Sequence, residues 1–301
     1  MNAQQNNAVG RRQPSAGAAR FHPSRAGFTL VELIVAVSII VILAGITLRA
    51  LSMARDSGRE YRTKATISKL DRIIREMYAS YRNRRVPIDT TGLDPRTAIG
   101  LQLAALRQTI LFEMPERYGD VPENPQPVTI SYNSVSRPLM PPGASYAYSA
   151  VLAGHRSNPA DNSHAECLYM IVAISNPERL EDFQASEIGD TDGDGLPEFV
   201  DGWGRPIYFL RWAPQFPDSD IQTIDASDPD FRHDPFDTHN LQPSAPLLLP
   251  LVYSAGPDGD YGINPHQDYN YAGEPWGSTA GQPTGDGTHY DNIHNHRIEQ
   301  R

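Results

Sequence analysis

Arg25-Ala26-Gly27-Phe28-Thr29-Leu30-Val31-Glu32-Leu33-Ile34 opens an apolar run that continues to Leu48. From Phe28 to Leu48 the run is 21 residues long, which as a helix spans roughly 30 Å, the thickness of a bilayer's hydrocarbon core. It is therefore long enough to cross a membrane. A single charge, Glu32, sits near its start. Even on the gentler insertion scales a carboxylate in hydrocarbon costs about 2–4 kcal/mol, so Glu32 calls for a partner.

The flanks orient the segment. Residues 1–27 contain Arg11, Arg12, Arg20 and Arg25 and no acid. By the positive-inside rule they hold the N-terminus in the cytoplasm and send the C-terminal body across the membrane. The whole chain of 301 residues carries a formal charge of -10, from 26 basic and 36 acidic residues. Without those four arginines the remainder has 22 basic residues against the same 36 acids, a net -14. Such a body repels phosphate backbones, and nucleic acid is not an expected partner. With 26 Pro, 23 Gly and 39% hydrophobic residues, the composition points to one modest, loop-rich globular domain. The lone Cys167 cannot close an internal disulfide.

Three readings compete for the apolar run. A secretory signal would have a shorter apolar stretch and a small-residue cleavage site; Ser52-Met53-Ala54 could supply the site, but the run is too long and Arg49 intervenes. A plain uncleaved anchor fits by length but gives Glu32 no purpose. The third reading uses every feature. Arg25-Ala26-Gly27-Phe28-Thr29-Leu30-Val31-Glu32 resembles the prepilin cleavage signal of type IV pilins and type II secretion pseudopilins. The resemblance implies a peptidase cut between Gly27 and Phe28, N-methylation of Phe28 as the first mature residue, and Glu32 as the fifth. Its physical sense is that a buried carboxylate is tolerated when paired with a cation, and cleavage creates one, the Phe28 ammonium. In a staggered filament, Glu32 of one subunit meets that ammonium on the next and sets the register.

No proline occurs between Pro23 and Pro87, so the helix is expected to continue beyond the membrane to the Pro87 region. Over residues 49–85 an apolar stripe, Ile67, Leu70, Ile74, Met77 and Tyr81, is flanked by the i,i+4 pairs Glu60/Lys64 and Asp71/Arg75. Such a stripe packs against the chain's own domain. Gly45 and Gly58 are candidate bending points. The expected fold class is α+β: a pilin-like ladle whose long N-terminal helix, transmembrane over 28–48 and amphipathic over 49–85, packs on a small antiparallel sheet.

Residues 86–189 read as a variable insertion with short helices. Asp94-Pro95 is a good cap for a helix to about Phe112, with Ile99, Leu103, Leu106 and Ile110 on one face. Residues 113–142 are proline-rich and loop-dominated, with a candidate strand at 128–132. Ser163-His164-Ala165-Glu166 has capping-box spacing before the apolar stretch 167–174, which predicts a short buried helix, with a strand as the alternative. Clear strands are 206–211 and 248–254.

Residues 190–301 are expected to hold the C-terminal sheet and calcium-type loops. Asp201-Gly202-Trp203-Gly204-Arg205-Pro206-Ile207-Tyr208 resembles a D-x-W-G-x-P motif of the major pseudopilin of type II secretion, and Tyr253-Ser254-Ala255-Gly256-Pro257-Asp258-Gly259 is similar to the turn that follows it there. Asp291-Asn292-Ile293 resembles the acidic segment that closes that family's calcium loop. The resemblance implies a metal at Asp258, Asp260, Asp291 and Asn292. A separate reading of the residues favours the stretch from Asp190 to Asp201. Aligned on an EF-hand loop, Asp190, Asp192, Asp194, Glu198 and Asp201 fall at ligand positions, Gly195 at the sharp turn and the Leu196 carbonyl at the backbone ligand. Oxygen donors select a hard cation, and a stand-alone extracellular loop of this kind binds calcium weakly, on the order of 0.1 mM. Both loops stay open as the metal site.

Phosphate-loop, H-E-x-x-H, C-x-x-C and G-x-S-x-G patterns are missing from the sequence, so an enzyme is not expected. His289, His294 and His296 cluster near the C-terminus and could bind a metal, but read as exposed tail residues of the inert kind. The expectation is a structural pilin-like subunit, single-pass in the inner membrane with a periplasmic body, whose partners are a prepilin peptidase and copies of itself or other pseudopilins in a filament. The alternatives are a membrane-anchored calcium-binding module and an adhesive or DNA-uptake pilin.

Overall fold

The computed structural model describes residues 27–155, 162–265, 275–285 and 287–297. The expected leader and its arginines, up to Ala26, lie outside the described residues. Helix α1, Leu30–Ser80, runs through Gly45 and Gly58 without interruption. The chain divides into two compact units, Met1–Leu51 and Ser52–Arg301.

In the first unit the described apolar side chains face outward: Leu30, Ile34, Ile40, Ile46 and Leu48 are all more than half exposed. The polar residues are satisfied within the helix, the Ser38 hydroxyl donating to the Ile34 carbonyl at 2.8 Å and the Thr47 hydroxyl to the Leu43 carbonyl at 2.6 Å. That is what a lipid environment demands, because no water is available to satisfy stray donors. An apolar surface of this length and continuity is a membrane-anchoring helix.

The second unit is organised on the remaining turns of α1. Ile67, Leu70, Ile74 and Tyr81 are fully buried and Met77 is partly so, as the stripe predicts. The flanking pairs close as well, Lys64 to Glu60 at 2.7 Å and Arg75 to Asp71 at 2.6 Å. Truncating Leu70 or Ile74 to alanine would remove about 2–5 kcal/mol of packing each. A 3-10 turn, Tyr81–Asn83, ends the helix shortly before Pro87.

Helix α2, Pro95–Glu113, starts where the cap predicts: the Asp94 carboxylate accepts from the backbone N–H groups of Arg96 and Thr97, both at 3.1 Å. Strands β1, Val128–Tyr132, and β2, Val135–Leu139, form an antiparallel hairpin about Asn133 and Ser134, both at positive φ. The sequence reading found only β1, since Asn-Ser is a weaker turn signal than Asn-Gly. The Tyr132 ring lies over Gly100 of α2, where an added Cβ would sit 2.1 Å from it. Helix α3, Gly143–Leu152, was also not anticipated.

Helix α4, Ser163–Ser175, is buried as expected, but the capping box at its start is not formed. Asn162 takes the cap position, and Ser163 already lies in the first turn. The Glu166 side chain accepts a hydrogen bond from the Tyr118 hydroxyl instead of closing the box. Strands β3, Ile188–Gly189, and β4, Glu198–Phe199, make a short antiparallel pair. Strands β5, Tyr208–Leu210, β6, Leu251–Ser254, and β7, Ile293–His294, form an antiparallel sheet in the order β5-β6-β7. The two anticipated strands are shorter than expected, because Pro206 and Pro250 have no N–H to give to a ladder. One hydrophobic core joins α1, α2, α3 and α4 to residues of the strands, including Phe199, Phe209, Val252 and Ile293. The segment expected as an insertion thus contributes much of the core.

The histidines are a correction. His289, His294 and His296 are buried, not exposed, because β7 and its flanks lie against β6. Both ring nitrogens of His296 are used, one with the Ser219 hydroxyl at 2.9 Å and one with the Pro250 carbonyl at 3.2 Å. Burial first, then the neighbouring His294, pushes His296 down to about 3, so the ring is neutral near neutral pH.

Gly202 fixes how the motif after β4 meets α1. A Cβ there would lie 2.2 Å from the Arg59 carbonyl oxygen, and the Gly202 N–H donates to the buried Thr63 hydroxyl at 2.9 Å. Gly202→Ala should therefore lower the stability of the body by about 1–3 kcal/mol through overpacking. Gly58→Ala, at a helical position with open space around it, should raise stability by about 0.5–1 kcal/mol. Thermal unfolding of the two variants checks the contrast, and equal effects would remove the close approach as an explanation.

Candidate functional site

Gly27 and Phe28 precede the first helical turn in an exposed stretch without regular structure, with Phe28 80% exposed. The peptide bond between them is accessible. Just beyond it, Thr29 and Glu32 form a reciprocal capping box. The Glu32 N–H donates to the Thr29 hydroxyl at 3.2 Å, while the Thr29 N–H and hydroxyl both donate to Glu32 Oε2 at 2.9 Å. The T-x-x-E spacing carried this signal, and the sequence reading passed over it. The box uses the amide of Thr29 and not that of Phe28, so it survives a cut after Gly27. It also leaves Glu32 Oε1 without a donor among the described residues, available to a second partner.

The acidic stretch at 190–201 divides into two parts. Asp190 accepts from Gly193 N–H at 2.7 Å and Gly195 N–H at 3.1 Å, Asp192 from Asp194 N–H at 3.3 Å, and Asp194 from Leu196 N–H at 2.8 Å. Gly193 and Gly195 take positive φ, which lets the chain reverse twice within the turn. Asp192 and Asp194 are brought together with Glu166 of α4, which its sequence context marks as a cap and not as a ligand; ligand oxygens of all three lie within 4.8 Å of one another. Glu198 is fully buried, its Oε1 accepting from the Thr191 N–H at 2.6 Å.

Asp201 is engaged elsewhere. Its Oδ1 accepts from the N–H groups of Trp203 at 2.8 Å and Arg205 at 3.0 Å, and its Oδ2 from the Ser254 hydroxyl at 2.6 Å. It ties the Gly202-Trp203-Gly204 turn to β6, with both oxygens already accepting hydrogen bonds there. The EF-hand alignment placed it as the closing ligand because spacing says nothing about which element claims a side chain.

The second loop comes together as well. Asp258 N–H donates to Asp291 Oδ2 at 3.1 Å, Asp260 N–H to Asp258 Oδ1 at 2.9 Å, and the Asn292 side-chain amide to the Tyr261 carbonyl at 2.6 Å. Gly256, at positive φ, approaches the Asp291 carbonyl so closely that a Cβ would sit 2.3 Å away. The Arg205 guanidinium donates to the Gly256 carbonyl at 2.8 Å and lies against Gly259, which brings a fixed positive charge to this loop.

Burial pushes Glu166 up to about 7, with the charges of Asp194, Asp192 and Glu198 adding to it and the Tyr118 hydrogen bond opposing. Glu198 is raised by burial and by Asp192 and Asp190. Asp291 is raised by burial and by Asp258.

The assignment of Asp201 to the turn and not to a metal has a direct consequence. Asp201→Ala strands two half-buried N–H donors and the buried Ser254 hydroxyl, which should cost about 1–3 kcal/mol. The loss in melting temperature should be the same in chelator and in millimolar calcium. A loss seen in calcium alone would make Asp201 a metal ligand.

Residues 22–48 match the model of the prokaryotic N-terminal methylation motif. No curated protein and no solved structure matches the chain. The match covers Arg25, the Gly27–Phe28 bond, the capping box and the apolar run to Leu48. The chain thus carries a prepilin-type methylation motif on a single membrane-anchoring helix.

Proposed function

We propose that this chain is a structural, non-enzymatic subunit of a type II secretion pseudopilus or a related type IV pilus-like filament. The observation that carries the reading is the methylation motif with Glu32 held ready inside it. Prepilin peptidase hydrolyses the Gly27–Phe28 bond, and the new Phe28 amino group becomes the substrate for methylation. Glu32 then has two roles. Within its own chain it caps α1 through Oε2. Toward a neighbouring subunit it offers Oε1 to the Phe28 ammonium, which neutralises both groups in the apolar filament interior.

The arginines at 11, 12, 20 and 25 support a cytoplasmic N-terminus and a periplasmic body. The similarity of the 201–208 and 253–259 stretches to the major pseudopilin supports a pseudopilus over other filaments. The net -14 of the chain after the leader disfavours DNA uptake.

In cells supplying the peptidase and filament machinery, Gly27→Leu should leave an unprocessed form in the inner membrane. Glu32→Gln should be processed normally, because the amide oxygen still caps α1, and should fail to assemble. Losing one partner of a buried charge pair costs about 3–5 kcal/mol, or at least about a hundredfold in subunit association. Sheared-filament fractions and immunoblots read both outcomes. Normal incorporation of Glu32→Gln would remove the intersubunit role, and processing of Gly27→Leu would remove the prepilin reading.

A further inference from the structure

We propose that Glu166, Asp192 and Asp194 form a divalent-cation site of the calcium class that joins helix α4 to the acidic turn before β4. The inference is independent of the filament reading. It starts from two carboxylates that folding has taken out of water without completing their hydrogen bonds. Glu166 is 1% exposed; its Oε2 accepts from the Tyr118 hydroxyl, and its Oε1 is buried with no partner. Glu198 is fully buried, and its Oε2 is likewise without a partner.

A buried carboxylate oxygen with no donor is costly, and the cost rises when like charges surround it. Around Glu166 stand Asp192, Asp194 and Glu198, with Asp190 beyond them. None of these five carboxylates has an ion-pair partner among the described residues. Backbone N–H groups of the turn donate to Asp190, Asp192 and Asp194; beyond these, the Tyr118 hydroxyl donates to Glu166, the Thr191 N–H to Glu198, and the His155 ring bonds the Asp194 carbonyl at 3.1 Å. Hydrogen bonds from these cannot balance so many negative charges. A bound cation can.

The geometry suits a hard cation. One oxygen each from Glu166, Asp192 and Asp194 already lies within 4.8 Å of the others, the separation across the coordination sphere of an ion with ligands at about 2.4 Å. The donor set is entirely carboxylate, with no thiolate or imidazole to favour zinc. Asp192 and Asp194 are on the exposed or half-exposed side, so an ion has a path in and waters can complete the shell. Asn162 at the start of α4 donates to the Thr191 hydroxyl at 3.0 Å and holds the two elements in register. This ligand set differs from the EF-hand alignment: it gains Glu166 and excludes Asp201.

The test uses the full chain in detergent, stripped with chelator and titrated with calcium while melting temperature is recorded, and separately with terbium while emission excited through the aromatic side chains is recorded. Calcium at ten times its dissociation constant should raise the melting temperature on the order of 5 °C, and terbium should emit. Both signals should be lost in Glu166→Gln, which preserves the acceptor for Tyr118, and in Asp192→Asn with Asp194→Asn, which alters the accessible side of the cluster. Both should persist in Asp258→Asn with Asp291→Asn. The proposal is overturned if the unmutated chain responds to neither ion at about 10 mM calcium. It is equally overturned if the Glu166 or Asp192/Asp194 variants keep the full response, or if only the Asp258/Asp291 variant loses it.

Discussion

A charge in an apolar helix must be neutralised, and the reading of the N-terminal anchoring segment follows from that constraint. Glu32 is the sole acid in a run long enough to cross a bilayer. The capping box with Thr29 satisfies one of its oxygens with two donors but brings no positive charge. Hydrogen bonds lower the cost of placing the carboxylate at the membrane; only a cation removes it. The chain can make such a cation by losing everything before Phe28. In the proposed filament, cleavage and assembly both serve this one electrostatic requirement.

The body obeys the same rule with different partners. Arg211 is fully buried, and its side chain reaches the Met114 carbonyl, Asp120 at 3.3 Å and Glu116 at 3.5 Å. Arg107 pairs with Asp234 at 2.7 Å and lies over the Trp276 ring. Asp201 spends both oxygens on the turn beside α1 and on β6. Each of these groups ties elements distant in sequence. In contrast, Glu166 and Glu198 have no such counter-charge among the described residues, and that difference is what singles out the acidic turn.

Local signals made much of the fold legible. The unbroken apolar run, the stripe from Ile67 to Tyr81, the Asp94 cap and the alternating stretch at 128–132 each act over a few residues, and the structure contains the corresponding elements. The processing motif was legible for the same reason, since its residues are contiguous. What sequence could not give depends on contacts across the chain. Glu166 looked like half of a capping box until Tyr118 and the acidic turn claimed it. The C-terminal histidines looked exposed because nothing near them in sequence reveals that β7 joins β6. Asp201 has the spacing of a calcium ligand, yet its oxygens accept hydrogen bonds from Ser254 and the Trp203 turn, partners that EF-hand spacing does not reveal. The β1–β2 turn and α3 were missed because Asn-Ser and a helix starting at Gly143 carry weak local preferences.

The central claim is that the functional chain starts at Phe28 with a charged amino terminus. Mass spectrometry of the protein extracted from membranes of cells that contain the peptidase tests it most directly. The expected N-terminal peptide begins with N-methylated Phe28 and retains Glu32. A mature chain that keeps residues 1–27, or one that begins near Asp56, would contradict the account.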